Sequence, residues 1–252
     1  MNIEILPLLV VGAFFCELID SSLGMGYGTT LVPILLLLGY DPLQVVPAVL
    51  LSEFATGVAA GVFHQEFGNV NFRPGTRDFK VMLLMTGLSI IGVLAAVVVA
   101  VNIPAWALKA YVGLLVLGIG IVILWYRDRE VEFSWRRVGI MGLIAAFNKG
   151  MSGGGYGPVV TGGQVLSGVG SRNAIGIASL AEGITSAVGF AAYMVSGAPF
   201  PVMLAPSLLL GALISTPVAA YVVSRCQMRR LTTMVGGSAT LLGAYTLINL
   251  FI

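Results

Sequence analysis

The chain has 252 residues, of which 58% are apolar and only 10% are charged, with a net charge of +2 and a mean hydropathy of +0.98. Soluble domains carry about 25% charged residues, so this composition excludes a soluble globular protein and indicates a polytopic membrane protein. The two cysteines, Cys16 and Cys226, stand far apart without metal-ligand spacing, and we interpret them as small buried apolar residues.

In chain order, the first half begins with two short apolar segments, 5–19 and 29–38, separated by a polar, glycine-rich break at 20–28. Each segment is short for a membrane crossing, which needs about 20 residues. We therefore predict a helical hairpin at 5–39 that dips into the membrane, and two full spans are the alternative.

Longer apolar runs complete the first half, and the second half follows the same order after a charged stretch. The predicted spans of the first half are 43–64, 79–101 and 104–126. The second half has a predicted hairpin at 138–169 with its break at 148–157, and spans at 174–197, 202–223 and 231–252. The predicted fold is an all-α polytopic membrane protein with 8–10 membrane helices, divided into repeat 1 at 1–130 and repeat 2 at 131–252.

A duplicated glycine cluster is the clearest sign of the repeat. A shift of 129 positions aligns Gly24, Gly26, Tyr27 and Gly28 with Gly153, Gly155, Tyr156 and Gly157. The same shift places Glu53 on Glu182 and Thr56 on Thr185 without a gap. Two copies of a glycine-broken apolar element are typical of transporters, in which such breaks form the binding site near the middle of the membrane.

The basic residues predict the topology. Eleven of the thirteen Lys and Arg residues lie in the loops 65–80, 127–137, 170–173 and 224–230. Because each half has an odd number of membrane segments, the two halves must be inverted relative to each other. Basic loops favour the cytoplasmic side, so we predict inverted repeats in a multi-pass protein of the cytoplasmic membrane, with both termini outside.

The two breaks are candidates for an anion site. Glycines allow the backbone to turn and approach a ligand, and the second helix of each hairpin begins there with free N–H groups that attract anions. The candidate substrate-binding residues are Ser21, Ser22, Gly24, Gly26, Tyr27, Gly28, Asn148, Lys149, Ser152, Gly153, Gly155, Tyr156 and Gly157. The alternatives are that the glycines only permit tight helix packing and that the tyrosines only fill space.

Four acids in or beside apolar segments are candidates for proton coupling: Glu17, Asp20, Glu53 and Glu182. A carboxylate in hydrocarbon is costly, so such groups face a cavity, form pairs or stay protonated. A structural hydrogen bond is the alternative for Glu53 and Glu182. Asp20 and Lys149 occupy corresponding positions and could form an ion pair if the breaks meet. His64 lies at a predicted membrane edge, which favours an interfacial polar residue over a proton relay.

The motif Gly24-Met25-Gly26-Tyr27-Gly28 followed by Pro33, with its copy Gly153-Gly154-Gly155-Tyr156-Gly157, resembles the duplicated glycine motif of the sulfite exporter TauE/SafE family of membrane permeases. The resemblance covers nearly the whole chain. It implies transport of small sulfur-containing anions, with the motif glycines, Ser22 and Ser152 lining the site. This chain departs from the family pattern where a tyrosine interrupts the glycine run and where Gly162 replaces the usual second proline.

The favoured function is a secondary transporter for a small sulfur-containing anion such as sulfite or an organosulfonate. It would work by alternating access about the hairpin tips and would be proton-coupled, most simply as an exporter driven by proton exchange. A cation or divalent-metal transporter that uses the intramembrane carboxylates as ligands is the alternative, and a non-transporting membrane scaffold is a third class.

The pattern does not favour an enzyme, since the single histidine has no nucleophile beside it. We expect no catalytic residue, no metal site, no cofactor and no nucleic-acid partner. The expected partners are the anion, protons and the lipid bilayer, and a homo-oligomer is compatible with the sequence.

Overall fold

The computed structural model describes residues 6–24, 26–100, 104–126, 132–152, 156–165 and 167–248. Within these ranges the chain forms ten α-helices and no β-strand. They are α1 (Pro7–Leu23), α2 (Tyr27–Leu37), α3 (Pro42–Glu66), α4 (Arg77–Ala100), α5 (Ala105–Tyr126), α6 (Trp135–Ser152), α7 (Tyr156–Val165), α8 (Ser171–Val195), α9 (Ala205–Arg225) and α10 (Met228–Ile248). The all-α fold that the sequence predicts is confirmed.

Four helices in the described part of the chain are long and apolar enough to cross a membrane: Pro42–Glu66, Arg77–Val99, Ser171–Val195 and Ala205–Arg225. At 1.5 Å per residue, the 25 residues of α3 or α8 extend roughly 37 Å, which exceeds the hydrocarbon core of about 30 Å. Large apolar side chains such as Leu8, Ile91 and Ile214 lie exposed on the outside of the bundle. This surface suits lipid, as the composition predicts.

The hairpins α1–α2 and α6–α7 have longer first helices than the sequence predicts. Residues 20–23 and 148–152 were expected in the breaks, but α1 continues to Leu23 and α6 to Ser152. The small polar residues there sustain helical bonding until Gly24 ends α1 with a φ of +70° and donates its N–H to the Asp20 carbonyl at 2.6 Å. Such a left-handed terminus favours glycine. Asp20 and Lys149 therefore each lie fourth from the end of a helix rather than in a loop.

The basic loops gather at one end of the bundle. Asn173 Nδ2 donates to Asp78 Oδ2 at 2.7 Å, which joins the loop before α8 to the start of α4. Arg172 Nη2 donates to the Cys226 carbonyl at 3.3 Å, which adds the loop after α9. The guanidinium of Arg77 lies over the Phe133 ring, which adds the segment before α6. Which side of the membrane this end faces remains a prediction from the basic residues.

The two hairpins enter the bundle from opposite ends. The α6–α7 hairpin opens at the basic end, where Ser134 N donates to the Ser167 carbonyl at 2.9 Å. The α1–α2 hairpin opens at the other end, where Leu6 N donates to Ser207 Oγ at 2.9 Å beside the start of α9. Both hairpins thus point their breaks toward the middle of the bundle.

Helix packing in one half has a counterpart in the other. One core cluster joins α1, α2, α3 and α9, and another joins the corresponding α6, α7, α8 and α4. Between the halves, α3 packs against α8 and α5 against α10. A two-fold relation between repeats would produce this pattern, while the repeat boundaries and the inversion themselves remain predictions.

Candidate functional site

The central helices α3 and α8 cross at two glycines with their backbones in contact. A Cβ on Gly57 would lie 2.6 Å from Gly183 Cα, and one on Gly183 would lie 2.9 Å from the Val58 nitrogen. No side chain fits there, since backbone atoms cannot move aside. The crossing brings together Glu53 and Glu182, each the twelfth residue of a 25-residue helix. Two acids therefore meet near the middle of the spans.

Lys149 joins these two acids. Its side chain is fully buried, its Nζ donates to Glu182 Oε1 at 2.6 Å, and the same Nζ forms an ion pair with Glu53 Oε2. The neighbouring Gly150 lets α6 approach α4 closely, because a Cβ there would lie 2.6 Å from the Val93 carbonyl oxygen. Lys149 therefore bridges α3 and α8 rather than pairing with Asp20, the partner that the sequence suggested in case the breaks meet.

The acids of the first hairpin have partners near the first break. Asp20 Oδ1 accepts the Tyr27 N–H, the first of α2, at 3.2 Å. The carboxylate thus occupies the helix start at which an external anion was expected. Glu17 accepts from Ser21 Oγ at 2.5 Å and from Thr56 Oγ1 at 3.2 Å. The Thr56 hydroxyl group on α3 therefore links Glu17 to the central spans.

These groups enclose a narrow polar cleft that has no room for a water molecule. Its lining residues are Glu17, Asp20, Ser21, Glu53, Thr56, Gly57, Ser179 and Glu182. All four acids predicted from the sequence therefore line one cleft. Lys149 is the only Lys or Arg that the described residues place against these acids, so four ionised carboxylates would leave three negative charges uncompensated. Ionising all four carboxyl groups in this dry cleft would therefore be costly.

The two hairpins touch at the first break. Thr161 Oγ1 on α7 donates to the Gly24 carbonyl at 2.8 Å, and a Cβ on Gly24 would collide with that hydroxyl. Gly26, with a φ of +139°, precedes α2 immediately after this contact. The positive φ and the close approach explain why this break requires glycine. The sequence did not single out Thr161, which aligns with Val32 in the first repeat rather than with a second hydroxyl.

The two motif tyrosines lie outside the cleft lining. Both are fully buried, with the Tyr27 hydroxyl 2.8 Å from Ser52 Oγ and the Tyr156 hydroxyl 3.3 Å from Ser89 Oγ. These contacts join each hairpin to a neighbouring span. The geometry therefore favours the packing interpretation of the tyrosines over direct ligand binding.

Those of the other candidate residues that the structure describes are buried around the breaks. Ser22 is buried, and its hydroxyl has no hydrogen-bond partner in the described part of the chain. Asn148 Oδ1 accepts from the Tyr111 hydroxyl of α5. Gly28 and Gly157 lie buried in the first turns of α2 and α7. The Ser152 side chain, Gly153 and Gly155 lie outside the described residues.

His64 differs from the sequence expectation. It is fully buried rather than interfacial, with Nε2 2.9 Å from the Ser21 carbonyl oxygen and Nδ1 3.1 Å from Asn69 Nδ2. An amide nitrogen only donates, so Nδ1 accepts and Nε2–H donates to Ser21, which fixes a neutral imidazole. Asn69 also donates to the Ala220 carbonyl at 2.9 Å. This pair fastens the end of α1 to α3 and α9. The sequence signal for this buried contact was a single histidine near the end of an apolar span.

Metal binding has little support from side-chain arrangement. Among the described residues, no three or more His, Cys, Asp or Glu side chains gather so as to hold a metal ion. Glu53 and Glu182 instead both face the Lys149 ammonium, which occupies the position that a cation would take between them.

Comparison with known proteins places the chain in a family. The family profile described as "Sulfite exporter TauE/SafE" matches residues 8–246. The chain is also similar to "Probable membrane transporter protein YtnM" of Bacillus subtilis (strain 168), with 31% identity over 96% of this chain and 83% of the relative. No solved structure matches it significantly. The duplicated glycine motif, the membrane-spanning helices and these matches agree: the chain belongs to the sulfite exporter TauE/SafE family of membrane transporters.

Proposed function

We propose that this protein is a secondary transporter that moves a small sulfur-containing anion, such as sulfite or an organosulfonate, across the cytoplasmic membrane with protons as the coupling ion. The observation that carries the proposal is the buried Lys149 ammonium, held at mid-span between the acids of α3 and α8. A buried cation whose partners are carboxylates is a site at which another oxyanion can compete.

The chemistry of the ligands supports this exchange. Sulfite, sulfonates and carboxylates all offer oxygen atoms that accept charge-assisted hydrogen bonds from an ammonium group. Ser21, Thr56 and Ser179 place hydroxyl groups in the cleft lining, and these can turn toward an anion once the cleft opens. The family name agrees with such a substrate class, and the relative's description agrees with a membrane transporter.

The placement of the hairpins supports alternating access. The cleft is closed in this form, α1 of the first hairpin lines it, and the two hairpins enter from opposite ends of the bundle. Movement of one hairpin away from the other would break the Thr161–Gly24 hydrogen bond and open the cleft toward one side. The reciprocal movement would open it toward the other side, so the substrate would cross without a continuous pore.

The excess of carboxyl groups favours one competing function, a cation transporter. Among the described residues, the four acids lining the cleft face one ammonium, that of Lys149. A divalent cation would have to displace Lys149 from Glu53 and Glu182 and would then be repelled by it. Anion transport is therefore the better-supported function.

Flux measurements on purified protein in liposomes separate the two. The probes are sulfite, ethanesulfonate, sulfate and acetate, together with Mg²⁺ and Mn²⁺, each with and without a pH gradient. We expect saturable flux of sulfite or ethanesulfonate. The variant Glu53→Gln/Lys149→Gln, which removes one charge of each sign, should lose this flux, whereas the exposed control Lys80→Gln should retain it. Divalent-cation flux without anion flux, or no flux of any probe, would overturn the proposal.

A further inference from the structure

We infer that the anion moves together with a proton carried by Glu53, rather than in exchange for a proton. In this mechanism Lys149 binds the anion only after Glu53 has released it, and Glu53 releases it by taking up a proton. The inference rests on the proposed function and specifies whether protons move in the same direction as the anion or in the opposite one.

The first step is competition for one ammonium group. Glu53 Oε2 and Glu182 Oε1 both contact Lys149 Nζ, and the cleft beside them has no room even for a water molecule. An oxyanion therefore cannot simply add to this pair as a third partner. It has to take the place of one carboxylate.

The second step is the fate of the displaced carboxylate. Removing the partner of a buried charge is strongly unfavourable when neither water nor another cation replaces it. Among the described residues, the charged groups that face Glu53 are Lys149 on α6, Glu182 on α8, and Glu17 and Asp20 on α1, so the one cation of this set would already hold the substrate. The balanced step is that Glu53 carboxylate plus one proton gives Glu53 carboxylic acid, while the anion takes its place at the ammonium.

The third step identifies which of the two acids releases Lys149. Glu53 Oε1 is buried and has no hydrogen-bond partner in the part of the chain that the structure describes. Its Oε2 atom faces Lys149 and accepts from Ser186 Oγ at 3.4 Å. Glu182 keeps a 2.6 Å hydrogen bond to the lysine. Oε1 of Glu53 is thus the atom open to the incoming proton.

Cotransport has consequences that exchange does not share. One monoanion and one proton enter the cleft together, so its net charge stays constant and the membrane potential does not drive the step. An inward proton gradient would drive uptake, and export would proceed only down the gradient of the anion itself. The proton-exchange exporter expected from the sequence would respond in the opposite sense.

Ethanesulfonate tests the coupling directly, because its charge is fixed near neutral pH. It neither takes up nor releases protons itself, so any proton movement that accompanies it is carried by the protein. Its influx into liposomes that contain a pH-sensitive dye should acidify the lumen by about one proton per anion, as charge compensation in the cleft requires. With valinomycin and potassium setting the potential, the flux should not depend on voltage. Glu53→Gln should move the anion without protons and become voltage-dependent. The exposed control Glu66→Gln, on the same helix, should keep the ratio.

The outcomes separate this inference from the proposed function. Anion influx with an alkaline lumen, or with no pH change, would overturn cotransport while leaving anion transport intact. A Glu53→Gln variant that keeps the wild-type ratio would remove Glu53 as the carrier. Absence of flux for ethanesulfonate and for every anion of the panel would overturn both. The wild-type ratio decides the sense of coupling even if the variant does not fold.

Discussion

The two hairpins are built on the same plan but use their charges differently. Asp20 and Lys149 each lie fourth from the end of the first helix of a hairpin. Asp20 is satisfied within its own hairpin by the Tyr27 N–H at the start of α2. Lys149 reaches out of its hairpin to Glu53 and Glu182 on the central spans. Asp20 therefore keeps its charge within its own hairpin, whereas Lys149 shares its charge with both halves.

This difference assigns distinct roles to the hairpins. A bond within a hairpin survives when that hairpin moves as a unit. An ion pair between α6 and the spans α3 and α8 must lengthen or break when the second hairpin moves against them. In the proposed mechanism, the second hairpin therefore couples ligand exchange to movement, while the first mainly shapes the cleft.

The largest expected effect comes from Lys149→Gln. It leaves Glu53 and Glu182 without their ammonium partner, and breaking a buried pair on one side costs about 3–5 kcal/mol. Unfolding in detergent should show this loss in the free energy of unfolding. The double variant Glu53→Gln/Lys149→Gln should recover part of it, because one unpaired acid is removed as well. A loss below about 1 kcal/mol, the value of a surface pair, would show that the ion pair is not buried as described.

Gly57→Ala should have the next largest effect. The added methyl group meets the backbone of α8 2.6 Å away, and overpacking of this kind costs about 1–3 kcal/mol. Because the crossing positions both acids around Lys149, transport should fall with stability. Gly87→Ala on α4 is the control, since nothing lies within 4 Å of its added Cβ. Equal thermal shifts in the two variants would contradict the direct contact between α3 and α8.

Thr161→Val tests the contact between the hairpins. It removes the hydroxyl that donates to the Gly24 carbonyl and preserves the side-chain shape, so about 1 kcal/mol of stability should be lost. Thr240→Val on α10 is a matched control, because its hydroxyl donates to Gly236 within the same helix. Thermal unfolding of both variants measures the difference, and a larger loss in the control would refute a stabilising contact between the hairpins.

Asp20→Asn should have the smallest effect. The amide oxygen can still accept the Tyr27 N–H, so only the difference between a charged and a neutral acceptor, about 1 kcal/mol or less, is at stake. The free energy of unfolding should change far less than in Lys149→Gln. Comparable losses in the two variants would remove the distinction between a local charge and a shared one.

The sequence predicted the parts of the site that depend on local patterns. The composition predicted the membrane, the glycine clusters predicted a break in each hairpin although α1 and α6 continue further than expected, and the shift of 129 positions paired Glu53 with Glu182. Apolar runs and helix-breaking glycines act over short distances along the chain. They are therefore readable without knowledge of how the helices pack.

The parts that the sequence missed depend on helix crossings. Gly57 and Gly183 make the central contact, yet the repeat aligns them with Ser186 and Phe54, so the duplication gave no sign of it. Because that crossing could not be predicted, the sequence suggested Asp20 as the partner of Lys149. The inward position of His64 likewise depends on α1 and α9 covering the end of α3.

The central claim is that Lys149 anchors the anion and that Glu53 competes for it. Equilibrium binding of ethanesulfonate to purified Glu53→Gln protein, with and without the second change Lys149→Gln, tests this claim most directly. We predict saturable binding to Glu53→Gln that is tighter than in the wild type, and loss of that binding when Lys149 is also replaced. Equal binding by the two variants would contradict the account.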